Sequence, residues 1–472
     1  CKSFSLSLLH KLGVMNKNKI ANESEDQTTI DFFEDLRSKD FSRLDRKKQV
    51  YFDYTGGNLY PESLLKEHFD FLTENVLGNP HSTNPTSKLA TQKVEEARAK
   101  VLSFFNATED YFCVFTANAS AALKIVGECY PFNENSALAL FADNHNSVNG
   151  LREFCKNKKS NYQYCPMHYD NLRIDELKLK EILSANSNAK DKLLAFPAQS
   201  NVSGVKHDLN WIKIAQDLGW DVLLDAAAFV PTCTLDLKQH QANFVSISFY
   251  KIFGYPTGIG CLFVRKDTFN KLQKPWFAGG TVAFAAVNEP IFKLIKNHER
   301  FEDGTINYLQ IPAIKNGLDY IESIGMQHIT NRVLRHTSFL LKNFQELKHS
   351  NGANLIGIYG PKNMESRGGT IIFNVQDNEG HPVPFTEVEA KANTLNISIR
   401  TGCFCNPGID EINNCLTTQD IAKYYTVRED ATYLEMINFL GKMRGAVRIS
   451  IGFVTNQKDL DTLIKFLKTF IV

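Results

Sequence analysis

The stretch FVSISFYKIFGYPTGIG, from Phe244 to Gly260, narrows the folds open to this chain more than any other. Phe244 to Phe249 is a short apolar run rich in β-preferring residues, and Gly254, Pro256, Gly258 and Gly260 then stop any regular element. A second apolar run, Gly260 to Val264, begins at once. Lys251 therefore stands where a strand ends and a turn begins, at the kind of edge where α/β proteins bind ligands. With Ser248 three residues before it, this is a setting for a buried lysine that forms a Schiff base with an aldehyde cofactor. A surface lysine on a hairpin is the other reading these residues allow.

DVLLDAAAF, Asp221 to Phe229, points to the first reading. Its apolar run ends in Asp225 and three alanines, so an acid sits at the same kind of strand end as the lysine. A pyridoxal phosphate enzyme needs an acid paired with the pyridine nitrogen, because only the protonated ring is a good electron sink. The structural alternative for such an aspartate is a helix N-cap or a solvated loop residue. YFCVFT (Tyr111 to Thr116), ALALFAD (Ala137 to Asp143) and LLAFPAQSNVSG (Leu193 to Gly204) repeat the pattern of a buried strand ending in polar residues, with helical stretches between. They predict an α/β fold with a mostly parallel sheet and one active edge. After Thr116, the residues Asn118, Ala119 and Ser120 open a helix, and backbone amides at a helix N-terminus suit a phosphate. Any strand-to-helix turn shares that pattern.

Asp225, Ser248 and Lys251, together with HSTNPTS (His81 to Ser87), DNHNSVNG (Asp143 to Gly150) and RFEDGT (Arg300 to Thr305), resemble the class V aminotransferase and cysteine desulfurase group of pyridoxal phosphate enzymes. SFYKIFGYPTG (Ser248 to Gly258) and RTGCFCNPG (Arg400 to Gly408) are more closely similar to the amino-terminal, desulfurase-like domain of the molybdenum cofactor sulfurases. The likeness runs from about Tyr51 to Phe470. It implies fold type I, with a large cofactor-binding domain over 76–305, a smaller α+β domain over 306–472 carrying the cysteine loop, and a segment, 31–75, packed with the small domain.

The resemblance also assigns roles. Lys251 tethers the cofactor and Asp225 faces its ring nitrogen. His145 stacks on the ring, Asn201 lies near its phenolic oxygen, and Asn118, Ala119, Ser120, Ser248 and Tyr250 surround the phosphate. Thr305 reaches the phosphate of a neighbouring subunit, so a homodimer is expected. Gly402, Pro407 and Gly408 make RTGCFCNPG a loop able to move its thiols. Aligned on Arg-Thr-Gly, the desulfurase nucleophile falls at Cys405, not Cys403, with Cys403 or Cys415 as a possible helper. Arg448, and after it Arg400, are the candidates for the substrate carboxylate.

The implied reaction takes sulfur from L-cysteine as a persulfide on Cys405, releases L-alanine, and passes sulfur to molybdenum cofactor or to a sulfur-accepting protein domain. Two marks of bacterial desulfurases are missing. Ala228 stands where they have a glutamine, and Tyr250 where they have a histidine. The competing readings are a class V aminotransferase or lyase acting on another amino acid, and a catalytically silent homologue kept for binding.

The rest of the sequence excludes more than it assigns. Of 472 residues, 43% are hydrophobic and 22% charged, enough for a large domain and a smaller one. Lys+Arg 53 against Asp+Glu 52 leaves no basic footprint for nucleic acid or an acidic membrane. No apolar run nears the roughly 20 residues of a membrane-spanning helix. The ten cysteines are scattered, several inside apolar strands, which suits a reducing, cytoplasmic setting and not a disulfide framework. Cys403 and Cys405 lack the partners a structural zinc needs, so no metal is expected. Residues 1–30 are read as a disordered or artefactual tail, with Met15 as the natural start. The chain stops at Val472, where full-length molybdenum cofactor sulfurases continue into a further domain; a fragment and a stand-alone desulfurase both fit.

Overall fold

The computed structural model describes residues 26–414 and 445–472 with seven positions between them (416, 417, 419, 420, 422, 435 and 439). Cys1, Met15, Cys415 and most of the expected tail lie outside the described residues.

Seven strands form the main sheet: β1 (Tyr111–Thr116), β2 (Ser136–Phe141), β3 (Asn161–Cys165), β4 (Asp191–Pro197), β5 (Asp221–Asp225), β6 (Phe244–Ser248) and β7 (Gly260–Arg265). Their spatial order is β1-β7-β6-β5-β4-β2-β3. The neighbours from β6 through β3 are all parallel. Only β7 runs against its two neighbours, so the sheet is mostly parallel, as the sequence predicts, with one antiparallel strand. The reason is local: the chain between Ser248 and Gly260 is too short for a helical crossover, so β7 must return antiparallel. β2, β6 and the centre of β5 are buried throughout, which explains why they read as continuous apolar runs.

A second, antiparallel sheet has β8 (Ile356–Tyr359), β9 (Thr370–Val375), β10 (Arg400–Gly402) and β11 (Ala446–Ser450) in the order β8-β9-β11-β10. The N-terminal segment joins this side of the molecule. Val50–Tyr51 pairs in parallel with Ile397–Ser398, and Asp53 bridges to Ser450. The helix Gln27–Asp40 places Arg37 within 2.6 Å of Asp459, whose side chain also caps the start of the helix Gln457–Lys468. One buried hydrophobic cluster runs from Phe33 and Phe41 through β5 and β6 to Phe373 and Leu467, continuous across both sheets. The sheet edges from which Lys251 and Arg400 leave are thus fixed on one core. No described helix is long and apolar enough to cross a membrane.

Candidate active site

Lys251 does not lie in an open turn. It sits on a single helical turn, Tyr250–Phe253, that leaves the end of β6 and is stopped by Gly254 in the left-handed conformation, φ 81°. A side chain at 254 would meet the backbone of Leu59 and Tyr60 at 2.4–2.7 Å, so the position needs glycine twice over. Ile252 and Phe253 of this turn are buried in the main core, which aims Lys251 into a hollow of about 280 Å³ at the ends of the strands. That hollow is lined by Asn118, Ala119, Ser120, His145, Asn201, Asp225, Ser248, Tyr250 and Lys251, nine of the residues singled out from sequence, and by Gln199 and Ala228.

Within the hollow, the polar groups divide into those that hold the walls and those left over. Asp225 Oδ1 accepts from Ala227 N–H at 3.1 Å and from Ser246 Oγ at 3.2 Å, while Oδ2 has no hydrogen bond among the described residues. Ser248 Oγ accepts from Ala119 N–H at 2.8 Å, and the Asn118 side chain caps Ala121 N–H at 3.0 Å. The Ala119 amide is therefore already taken. The donors left at the start of the 11-residue helix Ala119–Cys129 are Ser120 N–H and the Ser248 hydroxyl. Gly260 lets this helix start approach β6: a Cβ there would meet Ile247 O at 2.5 Å and Asn118 Cα at 2.7 Å.

His145 caps the short turn Asn146–Asn149, its Nδ1 accepting from Ser147 N–H at 3.1 Å, which places the proton on Nε2. Burial lowers its pKa, the Asp225 carboxylate opposes that, and Lys251 adds to the lowering, so a neutral, flat imidazole faces the hollow. Burial likewise lowers the Lys251 amine below its ordinary range, against the pull of Asp225, and Nζ has no hydrogen bond or ion pair among the described residues.

The cysteine loop docks on the rim. Asn146 N–H donates to Cys405 O at 2.7 Å, Asn201 Nδ2 to Phe404 O at 2.9 Å, and Asn406 Nδ2 to Asp143 O at 2.6 Å and Asn201 Oδ1 at 3.1 Å. Phe404 and Cys405 are both left-handed, φ 56° and 54°, a strained pair for residues with side chains. Cys405 is exposed and Cys403 half-buried. Arg448 is buried beneath the loop: Nη1 donates to Asn201 O at 3.0 Å, the Phe404 ring stands 5.0 Å from its guanidinium, and Nη2 meets Asp53 Oδ1 at 2.7 Å. Arg400 reaches the other oxygen of Asp53.

Thr305 stands apart, in a separate cavity of about 390 Å³ with Lys124, Trp276 and Glu302. Sequence reading missed three further groups. One is Gln199, whose Nε2 donates to Ala228 O at 3.0 Å and whose Oε1 is buried without a partner among the described residues. Another is the buried pair His207 and Asp143, 2.8 Å apart below the loop anchor. The third is Asp53, within YFDYTGG. No metal-binding cluster occurs among the described residues.

The arrangement fits pyridoxal phosphate: a partnerless amine, a free carboxylate oxygen, a neutral ring face and open donors at a helix N-terminus converge on one space. The profile of the family Aminotransferase class-V matches residues 50–463. The chain belongs to the class V aminotransferase family.

Within this class V family, the human protein named molybdenum cofactor sulfurase is 35% identical over 460 residues, covering 92% of this chain and 51% of the relative. The Arabidopsis thaliana protein of the same name is 34% identical over 481 residues, covering 92% and 57%. The chain thus spans about half the length of the curated relatives it matches. Among solved structures, the apo cysteine desulfurase of Thermococcus onnurineus superposes with a TM-score of 0.76 at 25% identity, covering 93% of this chain and 98% of that one. An Escherichia coli cysteine desulfurase gives 0.74 at 17% identity, with 93% and 98% covered, and shares the fold. These neighbours and the large, mostly parallel sheet establish the type I fold of pyridoxal phosphate transferases.

Proposed function

We propose that this chain is a pyridoxal phosphate-dependent cysteine desulfurase of the molybdenum cofactor sulfurase type. The observation that carries the reading is the partnerless Lys251 amine beside the free Oδ2 of Asp225 in one hollow, with the Cys405 loop bonded to its rim. The cysteine desulfurase and molybdenum cofactor sulfurase relatives support it.

Pyridoxal phosphate, when bound, supplies an electron sink that loosens bonds at the substrate's α and β carbons. The chain's own groups do the rest. Lys251, its amine pKa lowered by burial, would hold the aldehyde and, once released, would move the proton at the substrate's Cα. Asp225 Oδ2 would hold the ring nitrogen of that cofactor in its protonated form, and His145 would offer its neutral face to the ring. Ser120 N–H, at the positive end of its helix, and the Ser248 hydroxyl receive the phosphate. Arg448, with Arg400 behind it, attracts the substrate carboxylate. Cys405 Sγ then attacks the substrate sulfur: the new S–S bond forms as the Cβ–S bond breaks, the carbon takes a proton, and alanine leaves.

The persulfide passes to molybdenum cofactor or to a protein domain that accepts sulfur. Trp276, Phe277, Phe284, Val287, Ile291 and Phe292 form an exposed apolar run around the hairpin Val282–Ala285 and Phe292–Leu294. That run, and the placement of Thr305 away from its own hollow, support a homodimer in which Thr305 serves the neighbouring site. Among the described residues, six cysteines are buried free thiols, which suits a reducing cytoplasm.

The test supplies L-cysteine to the protein and to Cys405→Ser and quantifies alanine and protein-bound sulfur. The wild type is expected to release one alanine per sulfur taken. The variant should lose sulfur transfer while keeping the visible absorbance of bound cofactor, and unchanged turnover in it would overturn the assignment.

A further inference from the structure

Gln199 is a buried amide that the proposed reaction does not use. It lies just beyond β4, is 3% exposed, and lines the hollow that holds Lys251 and Asp225. Its Nε2 donates at 3.0 Å to the carbonyl of Ala228, in the alanine run after Asp225, and this bond fixes the orientation of the amide. Oε1 is left over, buried and without a partner among the described residues. It lies on the side of Gly368: a Cβ there would stand 2.2 Å from Oε1, so the glycine keeps the acceptor's surroundings clear.

A second, smaller space of about 20 Å³ adjoins the hollow, and its wall includes Gly369 and Thr370, the residues that follow Gly368. Gln199, Ala227, Ala228 and Lys251 line both spaces. Other polar side chains of the smaller wall are already paired. Thr55 Oγ1 and Thr370 Oγ1 bond each other at 2.7 Å, and Asn58 donates to Ile252 O at 2.6 Å and accepts from Leu59 N–H at 2.8 Å. Gln199 Oε1 and Lys251 Nζ are not: a buried acceptor and a buried donor border a space the size of one water molecule or one amine head.

While Lys251 holds the cofactor, its nitrogen is committed. When a substrate takes its place, the bond to the substrate's nitrogen forms as the bond to Nζ breaks, and the two hydrogens of the incoming amine pass to Nζ. The freed amine is then a buried donor, which costs free energy unless it meets an acceptor.

We propose that Gln199 is the positioning residue for the freed lysine, its Oε1 accepting one N–H of Nζ in the smaller space once substrate has displaced it. In its neutral form an amine held in this way keeps its lone pair open for the Cα proton. The inference deepens the desulfurase reading and rests on it for the use of Lys251, not for the role of Cys405.

The test loads the wild type, Gln199→Met and Gln199→Glu with pyridoxal phosphate, measures cofactor retention by dialysis, and titrates each protein with L-alanine, following the visible band as alanine displaces the lysine. Methionine is of similar length but brings no oxygen acceptor. Gln199→Met should therefore keep its cofactor as the wild type does, yet bind alanine about tenfold more weakly. Glutamate offers a carboxyl oxygen at the same place, protonated or not, so Gln199→Glu should stay within about threefold of the wild type. A merely structural role for the bond to Ala228 predicts instead that cofactor retention and alanine binding fall together in Gln199→Met, and that result overturns the inference. So does alanine binding that Gln199→Met leaves unchanged, or that Gln199→Glu fails to recover. If Gln199→Met does not fold, a crystal structure of the wild type with alanine bound decides. Nζ is expected within about 3.2 Å of Gln199 Oε1, and an amine resting elsewhere overturns the inference. In each of these cases the Cys405 experiment still judges the desulfurase reading, whereas a wild type that takes up neither cofactor nor alanine overturns both.

Discussion

Lys251 shows how one residue's surroundings set its chemistry. Burial lowers the pKa of its amine below the ordinary 10.5, because no carboxylate in the hollow bonds it closely enough to offset the loss of water. The sign of the consequence follows from proton counting. Between the lowered folded pKa and 10.5 the unfolded chain binds a proton that the folded chain does not, so stability rises with pH across that window. Cofactor-free protein should therefore gain urea resistance as pH rises toward 10.5 relative to Lys251→Met, which lacks the titrating group. Parallel curves for the two proteins would refute it. Gly260 carries a second residue-scale expectation. A methyl group there meets the backbone of Ile247 and Asn118 below 3.0 Å, so Gly260→Ala has to pry the phosphate-binding helix start off β6. The cost should be about 1–3 kcal/mol in a denaturation midpoint, with weaker retention of cofactor.

At the scale of elements, the cysteine loop combines strain with anchorage. The Asn201 side chain makes two of its contacts, to Phe404 O and to Asn406, so Asn201→Ala should loosen the loop without touching the sheet. Alkylation followed by mass spectrometry reads this directly. In the wild type Cys405 should react before Cys403, while Cys129 and Cys165, whose thiols burial pushes up to about 12, stay protected at neutral pH. Asn201→Ala should raise the Cys405 rate several-fold, and an unaltered rate would show that the other anchors suffice. The loop also marks where sequence reasoning stops. β1, β2, β4, β5 and β6 were legible because a buried strand ending in a polar residue writes its own punctuation, and the residues at those ends do share one hollow. The helical turn under Lys251 depends on packing that no local pattern records. Asp53 was invisible for a different reason: its partners lie 347 and 395 residues away, and only the fold brings them together.

Across the whole molecule, the site depends on a union between the two ends of the described chain. Asp53 follows the short strand Val50–Tyr51 and Arg448 lies in β11, so the N-terminal segment must stay docked for the arginines to keep their acid. Arg37 is the buried fastener of that docking. It donates to Asp459 at 2.6 Å, to Val454 O at 2.9 Å and to the more exposed Asp45 at 2.9 Å. Burial opposes its charge, yet hydrogen bonds to Asp45 and Asp459 outweigh that and hold the guanidinium above its ordinary pKa. Burial also raises the Asp459 pKa, with Arg37 pulling the other way. Removing the cation therefore strands a buried carboxylate. Arg37→Met should cost about 3–5 kcal/mol, measured as a fall in the urea midpoint, the range seen when one partner of a buried pair is deleted. The pH dependence separates this cause from lost packing. Without Arg37 the Asp459 pKa climbs further, so as pH falls toward it the folded state takes up a proton the unfolded chain, titrating near 3.8, does not. The deficit of Arg37→Met should then shrink on acidification, because a neutral Asp459 no longer needs a counterion. A deficit that stays constant from neutral to mildly acid pH would assign the loss to packing of the side chain and remove the ion pair from the account.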